Sequence, residues 1–159
     1  MSTAIVVYRS RCPVSTTQII VTELSSIMVV SSPGAYRPVD LILEPRDGFL
    51  LAIALGQLSF REAVESCQSM CDLAAGLGLR KILLDCLAVE GDLSPDERFE
   101  LGKTTAEYCQ SQLRIPALAL IGKPPAVTGL GARAASNRGM PVEIFSDRQQ
   151  GLDWLKSRP

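Results

Sequence analysis

Lys123, followed by Thr128-Gly129-Leu130-Gly131, is the combination in this chain that could handle an anion. A lysine ammonium, a hydroxyl and the free amides of a helix start would together cradle a phosphate or carboxylate. The same small residues also suit close packing of a helix on a sheet, and neither G-x-x-x-x-G-K-S/T nor G-x-G-x-x-G is present to mark a phosphate loop. Among the carboxylates, Asp85 sits at the end of the apolar run Lys81–Cys86, where an acid is either buried for chemistry or bonds the amides of the departing chain. Glu90 and Asp92 form a loop pair, a pattern more often solvated than catalytic. Arg138 could bind an anionic ligand or a partner carboxylate, or satisfy the carbonyls at a helix C-terminus. The chain contains no histidine, so nucleophilic catalysis would need a lysine-assisted serine or a carboxylate, and no spacing supplies such a pair.

The cysteines are five, Cys12, Cys67, Cys71, Cys86 and Cys109, an odd and scattered set that reads as reduced thiols in a cytoplasmic protein. Cys67 and Cys71 stand one helical turn apart but lack further ligands at metal spacing, so core packing is their expected role. Cys86 alone lies near a strand end. The sequence therefore offers Asp85, Asp92, Ser94, Lys123, Thr128 and Arg138 as binding residues and no catalytic residue, metal site or cofactor.

Composition narrows the partners. Sixteen basic and seventeen acidic residues leave a net charge of −1, no field for a nucleic-acid backbone. No apolar run is long enough for a membrane span, and the apolar groups after Arg9 and Arg11 are broken by Thr17, Gln18 and Glu23, so no signal-peptide core follows. A protein partner or a small apolar or anionic ligand remains, and a homodimer is compatible with this composition.

The elements that must position these residues begin after an appendage. Residues 1–38 are rich in Ser and Thr and end in breakers through Pro38, so they read as an arm, partly disordered or contributing an added strand. A translation start at Met28 is a further reading of this stretch. Residues 39–159 form the domain. Val39–Glu44 and Phe49–Leu55 flank Pro45-Arg46-Asp47-Gly48, a hairpin signal. Ser59 with Glu62 opens a helix by a capping box, and Phe60, Ala63, Val64, Cys67, Met70, Cys71 and Ala74 give it a buried stripe ending near Gly76 or Gly78. Lys81–Cys86 is a central strand covered on both faces. Ser94-Pro95-Asp96-Glu97 combines N-cap, proline at the first turn and glutamate at the third position, starting a helix to about Gln112. The spacing of Phe99, Gly102, Ala106, Cys109 and Leu113 assigns that helix its buried face. Ile115–Gly122 is the next strand, a small-residue helix runs from about Val127 to Arg138, Val142–Phe145 is the last strand, and Ser146 or Asp147 caps a helix turning Leu152 and Leu155 to the sheet.

The order ββαβαβαβα predicts an α/β fold, a mixed five-stranded sheet with helices packed on it. With its hairpin start it resembles the STAS domain of anti-sigma factor antagonists and sulfate-transporter tails. Asn137-Arg138-Gly139, the strand to Phe145 and Leu152-Asp153-Trp154-Leu155 look like the bacterial STAS-like family grouped with CRAL-TRIO lipid-binding folds. The resemblance implies a regulatory, non-enzymatic domain that binds a partner or ligand. It also implies an alternative, a lipid or hydrophobic-ligand carrier with an apolar cavity between the sheet and the Phe99 helix. A small enzyme is the remaining class, disfavoured by the residue inventory. Regulatory STAS proteins carry Asp-Ser-Ser-Gly after the central strand and are phosphorylated on a serine there, whereas this chain has Asp92-Leu93-Ser94-Pro95. Ser94 occupies the matching place, at a helix N-terminus where amides would stabilise an added phosphate, and doubles as a plain N-cap. Ligand contact is expected beyond the carboxyl ends of the strands, the rim that collects Gln57, Asp85, Glu90, Asp92, Ser94, Gly122, Lys123 and the start of the Thr128–Arg133 segment.

Overall fold

The computed structural model describes residues 39–112 and 115–159, together with the backbone of Val6–Arg9. Strands β2 (Asp40–Arg46) and β3 (Phe49–Gln57) pair antiparallel through Arg46 and Phe49, leaving Asp47-Gly48 as a two-residue turn. Gly48 sits at φ 81°, a conformation that a side chain would strain. β4 (Lys81–Glu90), β5 (Ala117–Ile121) and β6 (Val142–Phe145) then add in parallel, each beside its predecessor. These five strands are the expected mixed sheet. Val6–Arg9, labelled β1, extends it by a sixth strand, antiparallel to β2 at the outer edge. The remainder of the arm, including Cys12, and Leu113 lie outside the described residues.

Strands that follow one another across the sheet with crossovers of one hand place every connecting helix on the same face. α1 (Phe60–Gly76), α2 (Pro95–Ser111) and α3 (Gly129–Ser136) accordingly cover one side, over Leu41, Leu50, Ile82, Leu84 and Leu118. α4 (Arg148–Lys156) has no further strand to reach and folds onto the other side, where Leu155 and Trp154 meet Leu83, Ala119 and Ile121. Asp147, not Ser146, is its cap, accepting the Gln150 amide.

β2, β3 and β4 run beyond their sequence signals, to Arg46, Gln57 and Glu90. β3 and β4 slip register between Ile53–Asp85 and Leu55–Ala88, so β4 holds one extra residue and pairing resumes as far as Gln57–Glu90. The bulge leaves an amide without a ladder partner, and Asp85 accepts the Leu87 N–H at 2.9 Å. α3 is shorter than expected, because residues 122–128 form a loop rather than its first turn.

On α2 the buried stripe is Arg98, Gly102, Thr105, Ala106 and Cys109. Phe99 is 43% exposed, which corrects its expected place in the core. Gly102 permits the close crossing of α2 over α3: a Cβ there would strike the Gly131 backbone. Cys71 and Cys109 are buried and face each other across α1 and α2, with Cα atoms 6.2 Å apart. Cys67 and Cys86 are free.

Candidate functional site

The carboxyl ends of β4 and β5, with the loops after them, meet at one rim of the sheet. Arg98, from the second turn of α2, organises this rim. Its side chain is 10% exposed, and its guanidinium donates to the Leu93 carbonyl at 2.7 Å, to the Thr128 hydroxyl at 3.1 Å, to the Ala126 carbonyl at 3.4 Å, and also to the Pro125 carbonyl and the Asp92 carboxylate. The planar fork of arginine suits this use, since its donors point in fixed directions at several acceptors. One cation thereby ties the β4–α2 loop to the β5–α3 loop.

Ser94 lies on the exposed shoulder of the same rim. Its hydroxyl accepts the Glu97 amide at 3.3 Å, while the Glu97 carboxylate accepts the Ser94 amide at 2.8 Å and its hydroxyl at 2.9 Å. These bonds to the charged form hold the Glu97 carboxyl below the usual glutamate range. Lys123 is exposed, and its ammonium has no partner among the described residues. It borders a cleft of about 340 Å³ with Leu87, Val89, Glu90, Pro124 and Ala126.

The structure brings four of the six expected binding residues to this rim and turns two away. Asp92 and Thr128 are there but engaged by Arg98, and Thr128 caps α3 without a side-chain bond to a helix amide, its hydroxyl oxygen accepting from the guanidinium instead. Ser94 and Lys123 face solvent. Asp85 points to the α4 side of the sheet, where its second oxygen accepts from Arg148. Arg138 is at the opposite end of α3 from Thr128. It donates to the Ala134 carbonyl at 3.0 Å, lies 3.5 Å from the Glu107 carboxylate and stacks 5.4 Å from the centre of the Phe99 ring.

Arg98 escaped the sequence reading for a physical reason. The stripes 98-102-105-109 and 99-102-106-109 are equally periodic, and hydropathy favours Phe99 over a charge. The signal that could have separated them is the demand of two irregular loops, rich in carbonyls and proline, for a buried donor.

Between the sheet and helices α1, α2 and α3 lies a partly open apolar cavity of about 140 Å³, walled by Leu84, Leu101, Gly102, Leu118, Leu120 and Ala132 among others. α2 leaves room because its inner face is built of small residues. A cavity of this order matches a benzene-sized molecule, not an acyl chain. Cys86 borders both this cavity and the rim cleft. Burial, with smaller contributions from Cys67 and Asp85, pushes its thiol up to about 12, the reverse of an activated nucleophile. Among the described residues no cluster of His, Cys, Asp and Glu could hold a metal ion, and no helix is long and apolar enough to cross a membrane.

No protein-family model and no curated protein matches the chain. Among solved structures it is similar to the crystal structure of an anti-sigma factor antagonist from Mycobacterium paratuberculosis, with a TM-score of 0.51 and 11% identity over 80% of this chain and 100% of that one. The NMR structure of the protein TM1081 superposes with a TM-score of 0.47 and 15% identity over 86% of this chain and 100% of the other. The fold is STAS-like, as the element order and the first of these similarities show.

Proposed function

We propose that the chain is a regulatory STAS-like domain that works by binding a protein partner, without catalysing a reaction, through the rim around Ser94 and Lys123. The observation that carries this reading is the Arg98 clamp. A buried guanidinium fixes two strand-end loops relative to each other, giving a preformed surface, and leaves Ser94 and Lys123 outward, beside the exposed Glu90 and Asp92. The similarity to an anti-sigma factor antagonist supports a protein as the partner. A cytoplasmic location accords with such a role.

Bait experiments with the full-length chain in an extract of its own cells test the proposal. Capture of a specific protein is expected, and Ser94→Glu with Lys123→Glu should lower its yield at least tenfold while the bait stays folded. An unchanged yield would place the interface elsewhere.

Ser94 is also the proposed site of phosphorylation. The hydroxyl is exposed at a helix N-terminus, and a phosphate there would break the capping box and stand beside Asp92, Asp96 and Glu97. The amides of α2 favour the added charge and these carboxylates oppose it, so modification would reshape the rim rather than tighten it. Phosphate mapping after incubation in the same extract should find Ser94 modified. Phosphate confined to other residues would remove the switch from this account.

A further inference from the structure

We propose that the cavity beneath α2 is a binding site for a small uncharged apolar molecule of about the size of benzene, reached from the rim cleft. Three observations carry this. The cavity measures about 140 Å³, close to an engineered apolar cavity of about 150 Å³ that stays dry and takes up benzene. Its walls are apolar apart from Ser66, Cys67, Cys86, Arg98, Thr105 and Thr128, and no buried side-chain nitrogen or oxygen among the described residues lacks a hydrogen-bond partner. A charged guest would lose its hydration on entering, and Arg98, the one charged wall residue, is already engaged by the loops.

The third observation is the route. Cys86, Val89 and Ala126 border both the cavity and the cleft, so the two adjoin at these side chains. Glu90 and Lys123 flank the cleft with opposite charges, which gives neither sign of ion a preference at the mouth. Burial raises the Cys67 and Cys86 thiols, so these two wall groups stay neutral at physiological pH. The inference goes beyond partner binding and does not rest on it, because a protein can dock on the rim whether the cavity is filled or empty. The two would nevertheless communicate. Leu93, Arg98, Ala126 and Thr128 wall the cavity and also make the clamp, so a guest presses on the parts that set the rim.

Benzene and its charged counterpart benzoate, titrated separately into the isotopically labelled full-length protein, give the test by amide chemical shifts. Benzene should produce saturable shifts centred on Leu84, Leu120 and Ala132, and benzoate at equal concentration should produce none there. Filling the space from two directions, with Ala132→Leu from α3 and Cys67→Leu from α1, should each weaken benzene at least tenfold. If one variant does not fold, the other is read. The proposal is overturned if benzene causes no saturable shift, if benzoate matches it, if the shifts centre outside the cavity, or if a folded filled variant binds as the natural protein does. Loss of benzene binding with retained partner capture, or the reverse, separates this site from the rim interface.

Discussion

Ser94 and Glu97 exchange three hydrogen bonds at the first turn of α2, and the consequence for Glu97 has a definite sign. A carboxyl whose folded pKa is depressed adds stability that is present above its unfolded pKa and is lost as pH falls through the folded value. The group is solvent-facing, so the effect is better read as a titration than as an energy. Ser94→Ala removes one cap and should lower stability by about 1 kcal/mol. It should also move the Glu97 carboxyl part of the way up, because the Ser94 amide, the larger cause, still donates to it; NMR titration between acid and neutral pH reads the change. An unmoved Glu97 titration in that variant would show that the Ser94 hydroxyl adds nothing to what the amide does. This pair was legible in Ser94-Pro95-Asp96-Glu97, since each residue does locally what its type favours. Asp85 was legible as a strand-end acid, but its service to a bulge was not, because the slip depends on how β3 and β4 pair.

The elements owe their relative placement at the rim to contacts that no local pattern encodes. Arg98 reaches residues 27 to 30 positions further along the chain, on a loop that the sequence displays only as Lys-Pro-Pro followed by small residues. Arg98→Met keeps the side chain's bulk and strips the carbonyls of Leu93, Pro125 and Ala126 of a buried donor. Each such loss costs roughly 1 to 3 kcal/mol, with water recovering part of it, so we expect a total of about 3 kcal/mol by denaturant unfolding. Asp92→Asn should cost under about 1 kcal/mol, because Asp92 is 63% exposed and its ion pair is screened. A result with the two costs reversed would contradict the clamp as described. Element order was readable from capping boxes, the Asp-Gly turn and apolar runs. The cavity was not readable in size, since its volume is set by how far α2 stands from β4 and β5.

At the scale of the molecule, sequential parallel additions put α1, α2 and α3 on one face and leave α4 to close the other, so each face has its own apolar cluster. This separation divides the roles. Asp85 and Arg148 belong to the α4 side, Arg138 to the far end of α3, and the loops held by Arg98 to the rim. The rim, and not either face or the distal helix ends, is where we propose that this domain meets its partner. Hydrogen exchange of the full-length chain, alone and with the protein it captures, tests that claim most directly. Protection on binding should concentrate in residues 87–98 and 122–131 and spare α4 and β6. Protection centred on α4 and β6, with the rim loops exchanging as in the free chain, would contradict it.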